Sequence, residues 1–358
     1  MNNGISGATE ILDNRPPEAF RTVTLSNYKR ADVRQALIDS MLRDKIEPAC
    51  HWCAELLVSG HFGDLWEVIL HFMSKYVHLG NPKLPIYIER RYARFREKMA
   101  EGTYFKEIDA RNDPEMRHIF LEITCVLTTS LKKNTLEHLK IDRQEEFDMT
   151  KNAERLKAPS LEYAGRVMKP ADPRELSIAL NELLYHIESK NSKNAFYWID
   201  WLIEFDLICR SKKAPCCLEH RDTVPVAGRF QSDVVWIIWD AIKHYSDLLA
   251  SRGDVFVQKC VAALFSLFCL RYTNACAKKR RFTIYHAVCL LTEPMDAAGR
   301  ELFRDKGLIG VVMNKLDEVF LAMKRCEITD AMVLNDEKRV NFEKSMNKMK
   351  MIREMEGL

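Results

Sequence analysis

The sequence predicts an all-α protein, on three observations. From Ala31 onward, apolar residues recur three and four apart, the period of a helix with one buried face. The stretch Ala49 to Tyr76 (ACHWCAELLVSGHFGDLWEVILHFMSKY) reads as two helices joined at Ser59-Gly60. A degenerate copy of that pair follows about 150 to 170 residues later. The expected architecture is two tandem related five-helix repeats with a C-terminal helical extension.

Residues 1–30 carry Pro16-Pro17 and no helical period, which predicts an irregular arm with Phe20 and Val23 against the body. The first repeat, 31–130, starts with Val33, Ala36, Leu37, Met41 and Leu42 on one face. Pro48 suits the first turn of the next helix. Ala49, Trp52, Cys53, Leu56 and Leu57 form that helix's stripe, Gly60 and Gly63 close it, and Asp64 is placed to cap the third. Leu65, Val68, Ile69, Phe72, Met73 and Tyr76 continue the stripe, and Gly80-Asn81-Pro82 makes a turn. A fourth helix is expected from Leu84 to Met99 and a fifth from Pro114 to Ser130. A charged linker, 131–172, leads to the second repeat, 173–295.

The second repeat keeps the order of the first. Ala36-Leu37 answers Ala179-Leu180, Trp52 answers Trp198, and Asp64-Leu65 answers Asp233-Val234. Gly80-Asn81 answers Gly253-Asp254, and Cys125 to Thr128 answers Cys289 to Thr292. Offsets change only where loops are expected. A unit unable to bury all its faces alone would stack on its twin. The second copy carries an insertion, Cys209 to Phe230, and residues 296–358 add further helices, the last of them rich in methionine.

Composition sets the limits. The 54 basic and 51 acidic residues among 358 give a formal charge of +3, so any basic surface must be local. The opening residues carry no secretory signal, and most of the 11 cysteines lie in apolar runs, which predicts reduced thiols inside a cell. The apolar run Val255 to Leu270 is too short to span a bilayer and reads as a buried helix. No membrane association is expected.

Several clusters compete as sites. Lys278, Lys279, Arg280 and Arg281 form the densest basic run, suited to phosphates or nuclear import, or else a solvated helix end. Lys212-Lys213 and Lys132-Lys133 would extend that patch. Arg90, Arg91, Arg94 and Arg96 interleave with Tyr92 and Phe95, a pattern that fits phosphate or an acidic partner, and equally helix-to-helix salt bridges. Cys50-His51-Trp52-Cys53 has the spacing of a redox or zinc motif. Its counterparts in the second repeat, Phe196 and Ile199, are apolar, which favours a core role. Cys216, Cys217 and His220, with Cys209 or His244, would make an irregular zinc set or a plain surface loop. Met346, Met349 and Ile352 mark a helix suited to a partner's groove or to folding back on its own body. No nucleotide loop, metalloprotease or nucleophile-elbow motif occurs, so no catalytic residue, cofactor or metal is expected.

The run His51 to Phe95 resembles a family of helical proteins encoded by nucleocytoplasmic large DNA viruses, most clearly over 31–96. That resemblance implies an infected-cell or virion setting: host cytoplasm, nucleus or particle, with other viral proteins as partners. It carries over no catalytic residue. The tandem helix order also resembles, in outline, the cyclin-box pairs of general transcription factors and the clamp-loader collar. The resulting expectation is a non-enzymatic viral factor binding protein, DNA or RNA in transcription or replication. The alternatives are a structural virion or assembly protein and, more weakly, a metal- or thiol-dependent enzyme.

Overall fold

The computed structural model describes residues 6–142, 147, 153–296 and 301–329. Within them the chain is helical, with one isolated bridge between Val23 and Lys29 and no strand. The first helices are α1 (Arg30–Leu42), α2 (Ile46–Val58), α3 (Phe62–Phe72), α4 (Leu84–Ala100) and α5 (Pro114–Thr129). Then come α6 (Ser177–Glu188), α7 (Ser192–Ser211), α8 (Val235–Ser251), α9 (Val255–Phe268), α10 (Ala275–Lys279) and α11 (Arg281–Thr292). Two short helices, α12 (Lys306–Asn314) and α13 (Leu316–Lys324), end the described part.

Local chemistry explains the helix hairpins. Helices α1, α2, α6, α7 and α8 all end on a residue with positive φ: Asp44, Gly60, Lys190, Lys213 and Gly253. At each end the next residue's N–H returns to a carbonyl five residues back, as from Lys45 to Ser40, Asn191 to His186 and Asp254 to Leu249. This closure satisfies the orphan carbonyls of a helix terminus and turns the chain sharply. In two cases the returning residue also starts the next helix. The Asn191 side chain accepts from the Asn194 N–H, and the Asp254 side chain accepts from the Val257 N–H. With only three linking residues, α1 packs on α2, α6 on α7 and α8 on α9.

Two expectations at the start of α3 need correction. Gly60 does close α2, with φ +75°, but Gly63 lies inside α3. Asp64 is inside the first turn too and caps nothing. Arg30 donates to it from Nε and, at 2.8 Å, from Nη2. Burial works to raise the Asp64 carboxyl, yet Arg30 holds it below the usual range.

The chain forms two compact units. The first comprises 1–65, 98–128 and 306–358, and the second 66–97 and 129–305. In the first, the irregular arm is stitched down. Phe20 and Leu25 are buried, Ser26 donates to the buried Glu55 carboxylate, and Arg117 lies over the Phe320 ring while donating to Thr9. Val23 is half-buried.

In the second unit the core is aromatic, with Trp198, Trp236, Trp239, Tyr285 and Phe268 all buried. The charged linker is tethered here. The Leu139 N–H donates to Asp200, and the N–H groups of Lys157 and Ala158 donate to Glu182. The insertion after α7 is anchored rather than loose. Arg221 is buried and paired with Asp172 at 2.7 Å and Asp240 at 2.9 Å.

Helix order pairs α1 with α6, α2 with α7, α3 with α8, α4 with α9 and α5 with α11, as a duplicated five-helix unit would. The duplication stays a proposal drawn from sequence order. The glycine match within it joins unlike conformations, because Gly253 has φ +104° and Gly80 has no positive φ. Gly80 is glycine for another reason: a Cβ there would lie 2.0 Å from the Leu131 carbonyl oxygen. Gly80→Ala must push backbone apart, and we expect a loss of about 1–3 kcal/mol in urea titration. A Gly253→Ala variant strains φ alone and is expected to lose about 1 kcal/mol.

Candidate nucleic-acid interface

One arginine from each basic cluster, Arg96 and Arg280, acts on Tyr92 in the second unit. Tyr92 and Arg96 are four residues apart and share one side of α4. Tyr92 packs edge-on against Trp66 of α3, ring centroids 4.9 Å apart, and Phe95 packs on the same indole at 5.5 Å. Arg271, just after α9, and Arg280, at the junction of α10 and α11, complete the corner. Burial raises the Tyr92 phenol, while the charges of Arg96, Arg271 and Arg280 all act to lower it. Three guanidinium groups thus bear on one half-buried ring. Arg96 and Arg271 are exposed.

The run Lys278 to Arg281 divides between surface and interior. Arg280 and Arg281 are 6% and 5% exposed. Arg280 donates to Glu67 at 2.5 Å and to the Phe268 carbonyl at 2.6 Å. Arg281 donates to the fully buried Asp200 at 3.0 Å, and Tyr285 donates to the same carboxylate. Burial lifts the Asp200 carboxyl above its ordinary range against the pull of Arg281 and Tyr285. Lys278 and Lys279 are exposed, and they reach Glu204 at 3.3 Å and Glu67 at 3.4 Å.

Arg90 and Arg94 lie across the helix from Tyr92, because each residue turns the helix by about 100°. Arg90 is exposed, Arg94 pairs with Glu97 at 3.1 Å, and Arg91 lies over the Tyr87 ring. So the arginines of α4 serve two faces, and only Arg96 joins the Tyr92 corner. Arg271 stands alone in sequence at the end of an apolar helix, so spacing could not have found it. The carboxylates inside apolar runs, Glu67 in LWEVIL and Asp200 in YWIDWL, were the available signal that buried cations would answer them.

The thiol motifs resolve differently. Cys50 and Cys53 are buried on α2 and do not face each other's partners. The Cys50 sulfur lies 3.6 Å from Cys125 of α5, while the Cys53 thiol donates to the Phe120 carbonyl at 3.7 Å. In the insertion, Cys217 and His220 are exposed, and His220 pairs with Asp222 at 2.6 Å. Among the described residues no three His, Cys, Asp or Glu side chains converge as metal ligands. Met346, Met349 and Ile352 lie outside the described residues. No described helix is long and apolar enough to cross a membrane.

Compared with protein-family models, with curated proteins and with solved structures, the chain matches none.

Proposed function

We propose that this chain is a non-enzymatic factor that binds nucleic acid through the Tyr92 corner of its second unit. The observation that carries the reading is the convergence of Arg96, Arg271 and Arg280 on Tyr92, with exposed Lys279 joined to them through Glu67. Guanidinium groups suit phosphate oxygens, and a half-buried tyrosine offers a ring edge to a base or sugar. Overall charge is nearly balanced, so affinity must come from this local field. The resemblance over 31–96 implies an infected-cell or virion setting, and transcription or replication is the role we assign to such a binder there.

The test is fluorescence anisotropy across a salt series, with single- and double-stranded probes. The variant should spare the buried arginines, so Arg96→Gln, Arg271→Asn and Lys279→Gln are combined. Asparagine is chosen at 271 because φ there is +41°. We expect wild-type binding that falls with salt. In the variant the log–log slope should flatten by about 2–3 on duplex DNA, one phosphate contact per lost charge. No binding at low salt, or an unchanged slope, would sink the reading. Lys278→Gln is the control and should leave the slope nearly unchanged.

A second reading, an assembly protein, draws support from Phe105. Its side chain is fully exposed at a turn where Tyr104 donates to Asp113 at 2.6 Å. Such a protruding aromatic suits a pocket on another protein. If particles or partner proteins retain wild type and release Phe105→Ala, that reading gains over the first.

A further inference from the structure

Three cysteines gather in the core of the first unit, Cys50 and Cys53 from α2 and Cys125 from α5. The CxxC spacing suggests that Cys50 would pair with Cys53, but the geometry selects a different partner. Cys50 and Cys125 place their sulfurs 3.6 Å apart, whereas Cys53 points to the Phe120 carbonyl. Although Cys50 is only 1% exposed, it lines a groove of about 560 Å³. That groove runs between the start of α2 (Asp44 to Pro48) and the α12–α13 hairpin (Val311, Lys315, Val319). Cys50 borders this groove with its own surface covered, so a peroxide gains the sulfur only through local opening of the groove wall, and Cys125 lies 3.6 Å beyond it.

We propose that Cys50 and Cys125 are an oxidation site, a dithiol that a peroxide converts to a disulfide joining α2 to α5. In the first step the Cys50 sulfur attacks one peroxide oxygen and the O–O bond breaks. The sulfur becomes a sulfenic acid, and the other oxygen leaves as water with the thiol proton. In the second step the Cys125 sulfur attacks the Cys50 sulfur, the S–O bond breaks, and a second water leaves with the Cys125 proton. Two thiols lose two electrons, and one hydrogen peroxide gains them to become two waters. The sulfurs must close by about 1.5 Å to reach disulfide distance, which side-chain rotation and small helix shifts can supply.

The hydrogen bond to Cys125, together with burial, raises the Cys50 thiol above its ordinary range, and burial pushes Cys53 up to about 12. Since the thiolate is the nucleophile, the pair rests reduced and responds only to sustained oxidant. Once formed, the bond closes a long loop from α2 to α5 and restrains the unfolded chain.

The full chain is treated with graded hydrogen peroxide, quenched, alkylated under denaturing conditions and mapped by peptide mass spectrometry. Exposed Cys217 and Cys326 report the oxidant dose. The expected result is one cross-linked peptide pair joining Cys50 to Cys125, about 2 Da lighter than the reduced pair and restored by dithiothreitol. The thermal midpoint should rise by several degrees on oxidation, and should not rise in Cys125→Ala. The proposal is overturned if Cys50 joins Cys53 instead, or if Cys50 and Cys125 are both still alkylated at a dose that consumes Cys217. Should Cys125→Ala fail to fold, the wild-type peptide map alone decides.

Discussion

Arg281→Ala is expected to destabilise the protein by about 3–5 kcal/mol, the largest effect of any single substitution in the basic run. The guanidinium it removes is 5% exposed and donates to Asp200, whose side chain is wholly buried. With Arg281 gone, Asp200 keeps the hydrogen bonds from Tyr285 and the Leu139 N–H, and the weaker pull of His138. A buried carboxylate without its cation must either remain charged at high cost or take up a proton. The Asp200 carboxyl is already raised by burial, so protonation is the easier course. The loss should therefore be smaller at pH 5 than at pH 8 in urea titrations of the variant. The double variant Arg281→Met with Asp200→Leu removes both charges and should recover much of the loss. Lys278→Gln and Lys279→Gln, a few residues away and half exposed, should each change stability by less than about 1 kcal/mol. If Arg281→Ala is as mild as the lysine variants, the ion pair does not hold α11 to α7. The same contrast explains why neutralising all four residues together is a poor probe of nucleic-acid binding: it would unfold the corner it was meant to test.

Acid should weaken the second unit through a pair of buried histidines. His286 on α11 is fully buried, and neither ring nitrogen has a hydrogen-bond partner among the described residues. Burial, aided by the nearby His78, lowers it to about 3. His78 is lowered as well, chiefly by burial, and its Nε2 meets the Asn134 carbonyl at 2.9 Å. The ring centroids are 6.3 Å apart, and the charges of Glu293 and Lys133 both bear on His78. A histidine lowered on folding takes up protons in the unfolded chain first. Its contribution is fully present above the ordinary value of about 6.5 and is lost as pH falls towards the folded value. From pH 7 to pH 4 the loss from His286 alone is about 3 kcal/mol. Carboxylates held low by arginine, such as Asp64 and Asp172, weaken the fold only at lower pH, so the loss between pH 6 and 4.5 comes from the lowered histidines, His71 among them, against the opposite effect of the raised Asp200 and Asp206. His286→Leu should flatten the stability profile in that window while leaving stability at pH 8 equal or higher. An unchanged profile in His286→Leu would remove the histidine from the account.

How much of this was legible in the sequence varies from element to element. The helical period from Ala31 placed α1 to α5 within a few residues, because amphipathic helices write their buried face into the spacing of apolar side chains. Gly60 could be read as a helix end because a left-handed residue favours glycine. The ends at Asp44, Lys190 and Lys213 could not, since there the backbone adopts the same conformation without the residue that announces it. The arm before Arg30 carried no period, and only Phe20 hinted at how it is held. Its anchors, Glu55 and Arg117, lie far along the chain.

At the candidate site, sequence alone determined which residues are charged and which helices carry them. It grouped Lys278 to Arg281 as one basic run because they are adjacent. Tertiary structure split that run, since successive residues at a helix start point in different directions and only some of those directions lead to solvent. Arg280 and Arg281 turned inward to Glu67 and Asp200, carboxylates 213 and 81 residues away in the chain. Arg96, one of four arginines on α4, and Arg271, isolated in its own segment, came to bear on one tyrosine. The thiols follow the same logic: the apolar counterparts Phe196 and Ile199 pointed to a core role for Cys50 and Cys53, and packing alone decided that Cys125 is the thiol beside Cys50. Helix periodicity is a local property and survives in one dimension. The meeting of charges and thiols depends on which helix faces touch, and that is decided only when the chain has folded.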